Sequence, residues 1–439
     1  MTIRRTMLEW SKLPYGEDPD NPRTIPEAAA DRLAAVAAGS ALAKQGDGVL
    51  YHGRKSLQSK GIVGVVAAEG AVLEILPKID VPHTDGQDDN AAIRKHLVRM
   101  LAVALNVQID VGALTELHWQ RDTLLDILIR IFCEKLEEAV RRGRPRLYVR
   151  QEEDLPALRG RLDVTRQFTV HAANPSRLAC RFDELSEDIP LNRIMKAAVV
   201  YLRKATRNSG LARRLQELSF VYGDVGDCPV SMLPWDQVRL DRTNRRWQGL
   251  LEMARLFLTS RYQTTTSGQG SGFCLLFEMS ALFEDYVGRR LQRELAGTGL
   301  NVSLQGGRLF CLEHDETGKG RFQTRPDILV KRGREVVHIL DTKWKRISPA
   351  ASEPTHGVSQ ADVYQMMAYA QLYRAPKVTL LYPHHFGLGE ASGLQTSFRI
   401  SENVSRIEVA TVDLLDRKSG QLAALMTVGN ASVTEMAGA

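Results

Sequence analysis

The stretch Pro326-Asp-Ile-Leu-Val-Lys331, Arg332-Gly-Arg334, Glu335-Val-Val-His-Ile-Leu-Asp-Thr-Lys-Trp-Lys345 decides the fold of the C-terminal third. Two runs of aliphatic and β-branched residues flank a short turn with a central glycine, which predicts an antiparallel hairpin. Asp341 and Lys343 stand two apart on its second strand, so both project from one face while Leu340 and Thr342 point away. An acid and an amine at the end of an apolar strand are costly to half-bury unless they serve each other or a ligand. Asp327 follows Pro326 at the start of the partner strand and brings a second carboxylate to the same end. Counting back from the turn leaves it staggered from Asp341, so the geometry requires strand curvature. Two carboxylates that leave room for water suit a hard divalent cation, Mg²⁺ or Mn²⁺. In this arrangement Asp327, Asp341 and the backbone carbonyl of Thr342 hold the cation. Lys343 orients or deprotonates an attacking water and stabilises charge developing on a phosphate. The plainer alternatives are an exposed Asp/Lys pair for Asp341 and Lys343, and a turn at the start of the strand for Asp327.

The surrounding elements fit that chemistry. Phe277–Leu291 has apolar positions at helical spacing, with Glu284 beside the buried face. Residues 301–304 and 308–312 are β-like, and Gln360–Tyr373 is a helix carrying Gln365 and Tyr369. Lys377–Tyr382 is an apolar strand. Helix, three or four strands, helix, strand describes a mixed-sheet α/β sandwich. Glu284 is a candidate extra metal ligand, with an ordinary helix-surface acid as the alternative.

Upstream, residues 25–43 have helical composition. Gly61–Ala68 and Ala71–Leu76 read as a hairpin about Glu69-Gly70, and helical segments follow over residues 90–120 and 122–150. Arg141, Arg142, Arg144, Arg146 and Arg150 cluster at a helix end, where cations complement the macrodipole; a phosphate-contacting loop is the alternative. Further helices are predicted over residues 190–206 and 242–261. Thr264–Gly272, rich in Gly, Ser and Thr, reads as a connector, and the glycine order is wrong for a dinucleotide loop. The chain has no G-x-x-x-x-G-K-[ST] motif, which argues against its being a P-loop NTPase. With 439 residues, 44% hydrophobic and 25% charged, it has the composition of a soluble multidomain protein. A net charge of +6 permits a polyanionic partner without requiring one. Five scattered cysteines without a C-x-x-C pair argue for a reducing cytoplasm, and no apolar run is long enough for a membrane span.

In order along the chain, several pieces resemble the McrC family, the nuclease subunits of McrBC-type (type IV) modification-dependent restriction systems. They are Gly61-Ile-Val-Gly-Val65, Leu73-Glu-Ile-Leu-Pro-Lys78, Leu158-Arg-Gly-Arg-Leu162, and Arg181–Asp188 with Asn192. Leu282-Phe-Glu-Asp-Tyr-Val287, Pro326–Val330, Asp341-Thr-Lys-Trp-Lys345 and Asp362-Val-Tyr-Gln-Met-Met-Ala-Tyr369 complete the set. The resemblance covers roughly residues 45–415 and implies a multidomain α/β (α+β) chain. Residues 1–120 would form a mixed α/β partner-binding region and residues 121–265 a mainly helical one. Residues 266–439 would be a PD-(D/E)xK, restriction-endonuclease-like domain with Asp327, Asp341 and Lys343 catalytic and Gln365 and Tyr369 supporting them. It further implies DNA as substrate and a McrB-like AAA+ GTPase hexamer as the partner that the chain stimulates. A stand-alone nuclease and a non-catalytic adaptor of such a GTPase are the alternatives.

Overall fold

A computed structural model of the chain describes residues 2–18, 20–40, 42–43, 49–82, 89–107, 114–173, 176–259, 272–348, 357–389, 391–401, 405–415 and 420–427. It is a mixed α/β structure with eleven α-helices and several sheets among these residues. Its contacts divide it into two compact units, Met1–Leu124 with Tyr262–Ala439, and Leu125–Arg261. Among the described residues no helix is long and apolar enough to cross a membrane. Of the Thr264–Gly272 connector only Gly272 is described.

In the first unit the expected hairpin forms from Ile62–Ala68 and Ala71–Leu76, with Ala68 opposite Ala71 and Gly70 at φ 69°. Both strands are buried throughout, because each has a strand on its outer edge. Ile3–Leu8 pairs in parallel with Ala71–Leu76, and Phe273–Glu278 pairs antiparallel with Ile62–Ala68. The Glu27–Ala38 helix covers one face, burying Leu33, Val36 and Ala37 against Val66, Leu73 and Ile75. Sequence periodicity starts a helix at Phe277. The structure corrects this: Phe277 and Glu278 finish a sheet strand and the helix runs Met279–Glu294. A six-residue apolar run beside a helix lacks a period of its own and joins the helix in a periodicity analysis.

The same unit holds a six-stranded mixed sheet in the order Leu300–Leu304, Ile328–Arg332, Glu335–Thr342, Lys377–Pro383, Arg406–Val412, Gly393–Arg399. The predicted hairpin is its centre. Gly333, at φ 61°, occupies the first central position of a two-residue turn, the position that favours glycine. The 308–312 strand is also corrected. Phe310–Glu313 leaves this sheet and pairs with Gly320–Gln323, and that excursion is closed where the Thr324 amide and hydroxyl both donate to the Leu309 carbonyl. One face of the six-stranded sheet is packed by the Gln360–Leu372 helix through Leu329, Ile339, Met366, Tyr369, Val378 and Leu380.

In the second unit, helices Pro190–Ala205, Ser209–Val221 and Gln248–Leu258 accompany a three-stranded sheet of Leu147–Leu155, Leu178–Ser186 and Arg161–Leu162. Buried Asn192 donates to the Pro145 and Glu187 carbonyls. Within the arginine cluster, Arg144 and Arg146 both pair with Glu187.

Gly64 carries a prediction. It sits at φ 134°, and a Cβ there would stand 1.9 Å from the Leu275 carbonyl oxygen, which is backbone and cannot turn aside. Gly64→Ala should therefore separate Phe273–Glu278 from Ile62–Ala68 and cost about 3 kcal/mol or more. A thermal melt should show a loss of many degrees or no soluble protein; a melting point within 2 °C (roughly 1 kcal/mol) of the parent would contradict it.

Candidate active site

The site is built on strand register. Ile328 faces Leu340 and Leu329 faces Ile339, but nearer the turn Lys331 faces Val336, so one extra residue is accommodated in Glu335–Thr342. Beyond Ile328 and Leu340 the next residues outward are Asp327 and Asp341, which therefore stand across from each other and project to the same side. The stagger given by counting from the turn is removed by this bulge. Asp327 Oδ2 accepts from the Thr342 amide at 2.7 Å and from its hydroxyl at 2.8 Å. The residue between the second acid and the lysine thus fixes the first acid.

Lys343 lies just past the end of its strand, tied by its amide to the Leu381 carbonyl at 2.9 Å. Its Nζ is 2.6 Å from Asp341 Oδ2, a close ion pair. It donates to Gln365 Oε1 at 3.3 Å and lies 3.6 Å from Asp362 Oδ1. Gln365 in turn donates to the Tyr369 hydroxyl at 2.8 Å. Gln365 and Tyr369 are one helical turn apart and reach the site together. Asp362, one turn earlier, is a further residue of the site that the hairpin pattern does not point to. It is buried, also pairs with Lys345 at 3.3 Å, and its amide is capped by the Ser359 hydroxyl. The i, i+3 spacing of Asp362 and Gln365 was the available signal.

Glu284, on the Met279–Glu294 helix, accepts from Gln305 Nε2 at 2.9 Å, and the Gln305 amide donates to the Asp327 carbonyl at 2.7 Å. Arg325 holds the other side of Gln305 through its Oε1. Gln305 has φ 47°, an uncommon conformation for a non-glycine residue, and it links Glu284 to Asp327.

The electrostatics are those of acids gathered beside an apolar core. Asp341 is 1% exposed; burial and then Asp327 push its carboxyl up to about 6, against the pull of Lys343. Burial also raises Asp327, with the two Thr342 donors opposing. Glu284 is pushed up to about 7, first by burial and then by Asp327. Burial depresses Lys343, but Asp341, Asp362 and Asp327 outweigh it and hold the ammonium above the ordinary lysine range. Such paired acids with raised affinities for protons are groups that a divalent cation would discharge. Among the described residues no three His, Cys, Asp or Glu side chains form a ready-made metal cage. Glu284 is engaged with Gln305, so the fit to a cation rests on Asp327 and Asp341. Two carboxylates with water and substrate oxygens suit Mg²⁺, which seldom uses an all-protein cage.

A family model described as "McrBC 5-methylcytosine restriction system component" matches residues 57–383. The chain is 21% identical over 277 residues to the Type IV methyl-directed restriction enzyme EcoKMcrBC of Escherichia coli (strain K12), covering 60% of this chain and 78% of that protein. Among solved structures it is similar to a chain of the refined half-complex from a tetradecameric assembly of Thermococcus gammatolerans McrB AAA+ hexamers with bound McrC. That match has a TM-score of 0.67 at 20% identity, over 96% of this chain and 99% of that one. A chain of the cryo-EM structure of the Thermococcus gammatolerans McrBC complex matches with a TM-score of 0.51 at 22% identity, over 67% and 88%. At these identities the structural likeness speaks for the fold alone.

Glu284 gives a pH-dependent test. Its affinity for protons is raised in the folded chain, so the stability associated with it is present below the ordinary glutamate range and is lost as pH rises through about 7. Glu284→Gln removes that loss. In EDTA the variant should melt higher than the parent at pH 8, by about 1 kcal/mol after allowing for solvent screening, and equally at pH 4. A variant that melts lower at pH 8 would show that the charged form is the stabilising one.

Proposed function

The chain belongs to the family of McrBC 5-methylcytosine restriction system components, and from that membership we propose that it is the DNA-cleaving subunit of such a system. The observation that carries the reading is the facing pair Asp327 and Asp341 with Lys343 on the same side. In this reading residues 266–439 act as a PD-(D/E)xK, restriction-endonuclease-like domain. Its partner is a McrB-like AAA+ GTPase hexamer, whose hydrolysis the chain stimulates. The setting is the cytoplasm, where DNA and partner are accessible.

Asp327 and Asp341 would hold Mg²⁺ or Mn²⁺ together with the Thr342 carbonyl, and Glu284 is the candidate further ligand. The cation, when bound, supplies an acidified water and charge for the phosphate oxygens. Asp362 and the Gln365 oxygen, which contact Lys343 Nζ, would hold its ammonium at the site. There it orients the attacking water and stabilises the negative charge that develops as the phosphodiester is cleaved. Tyr369 holds Gln365, and Thr342 holds Asp327. The buried flank of the site limits competing solvent and strengthens each of these charge contacts.

The test is cleavage of modified plasmid by the purified chain with Mg²⁺, with and without its partner NTPase. Asp341→Asn should reduce cutting to background and Lys343→Ala should slow it about 10²–10³-fold, while partner hydrolysis in the assembled complex stays near the parent level. Full cleavage by either variant would assign the chain a regulatory role only. Efficient cutting without any partner would make it a stand-alone nuclease.

A further inference from the structure

Two sequence pieces that the hydrolysis leaves unused, Leu73–Lys78 and the Trp344 that follows Lys343, meet at Glu9. Glu9 is 1% exposed and follows the Ile3–Leu8 strand. Its amide donates to the Leu76 carbonyl at 2.8 Å. Its Oε1 accepts the Lys78 amide at 2.9 Å and the Trp344 indole N–H at 2.9 Å, across 335 residues of sequence. The other oxygen, Oε2, is buried without a hydrogen-bond partner, which is uncommon for a carboxylate and asks for an explanation. The Trp344 ring rests against Phe283, centroids 5.3 Å apart, and Phe283 immediately precedes Glu284. Two residues beyond Trp344, Arg346 pairs with Asp80, which also accepts the Phe386 amide at 3.3 Å.

We propose that Glu9 is a positioning residue: with the Lys78–Asp80 segment it clamps the chain that leaves Lys343 and fixes the ammonium beside the two aspartates. The proposal rests on the reading of Asp327, Asp341 and Lys343 as a nuclease site. Lys343 needs such a clamp because its strand ends at Thr342 and its own amide makes the last ladder bond, so the chain that follows is not held by the sheet. The Lys343 amide still bonds Leu381, and the next ladder position is replaced by a tight local contact from the Lys345 amide to the Lys343 carbonyl. Small displacements of a catalytic group change rates steeply. One Glu9 oxygen takes both N–H donors at once, a geometry that a glutamine oxygen at the same place can also offer. The clamp also gives the Leu73–Lys78 piece a physical role. Pro77 ends the Ala71–Leu76 strand, and the Lys78 amide is thereby turned onto Glu9 and not into the sheet.

The experiment uses the full chain with Mg²⁺ and its partner NTPase and compares Glu9→Ala, Trp344→Phe, the double variant and Glu9→Gln, with Asp341→Asn as the inactive reference. Single-turnover cleavage, KM for DNA, melting point and amide hydrogen exchange across residues 341–347 are measured. Glu9→Ala and Trp344→Phe should each slow cleavage about tenfold or more with KM for DNA within twofold. Exchange at Lys343 and Lys345 should rise, the double variant should be no slower than the worse single, and Glu9→Gln should recover most of the rate. If Glu9→Ala fails to fold, Trp344→Phe still tests the bond, since it removes only the donor and keeps the ring. Parent rates in both single variants, with Asp341→Asn inactive, would overturn the clamp and leave the nuclease reading standing. Additive losses that follow the melting point would reduce Glu9 to packing and equally overturn it. If the parent itself does not cut DNA, the nuclease reading fails, and exchange at Lys343 unchanged by Glu9→Ala would dispose of the clamp separately.

Discussion

Two carboxylates face each other across an antiparallel strand pair, and everything else at the site follows from keeping them there. Like charges directly opposite on one sheet face are destabilising, and here both are largely withdrawn from water. A single extra residue in the partner strand, between His338 and the turn, sets this register. Without it Asp327 would stand opposite Leu340, and Asp341 would project from the opposite face. Because side chains alternate along a strand, a slip of one residue removes the site completely. The bulge therefore determines the chemistry as much as the two acids do.

The surroundings then divide the charge among partners. Thr342 gives both its amide and its hydroxyl to Asp327, and Lys343 is placed against Asp341, with Asp362 and Gln365 as further contacts. The apolar layer of Leu329, Ile339, Met366 and Val378 supports the same sheet face and supplies the burial that raises both aspartates. That burial is unfavourable for the metal-free charged state and favourable for a bound divalent cation. Binding strength and local instability thus have one origin. On the opposite face a separate polar line, His338 to Thr379 to Glu408, is satisfied internally, with His338 held neutral by burial and by Lys377.

Much of this was legible in the sequence, because the decisive elements are local. The hairpin about Gly333 follows from turn chemistry and aliphatic runs, and the shared face of Asp341 and Lys343 follows from strand alternation. Gln365 and Tyr369 follow from helical spacing. The rest depends on events without a local signature. Hairpin counting alone gives the staggered register, and the bulge that removes it shows only in the observed pairing of Val330 with His338 and Lys331 with Val336. Phe273–Glu278 is too short to display a period, and its partner strand lies some two hundred residues earlier, so helical periodicity runs on across its end. The departure of Phe310–Glu313 from the sheet is decided by Thr324 and Leu309 closing a side hairpin. Glu9 and Trp344 are 335 residues apart, so no local pattern joins them.

The most direct measurement of the central claim is anomalous X-ray scattering from crystals of the chain grown or soaked with Mn²⁺. A single strong peak should lie between Asp327 and Asp341, about 2.1 Å from one carboxylate oxygen of each, and it should vanish in Asp341→Asn. An empty site at saturating Mn²⁺, with Lys343 still seated on Asp341, or a metal bound elsewhere and indifferent to Asp341→Asn, would contradict the account.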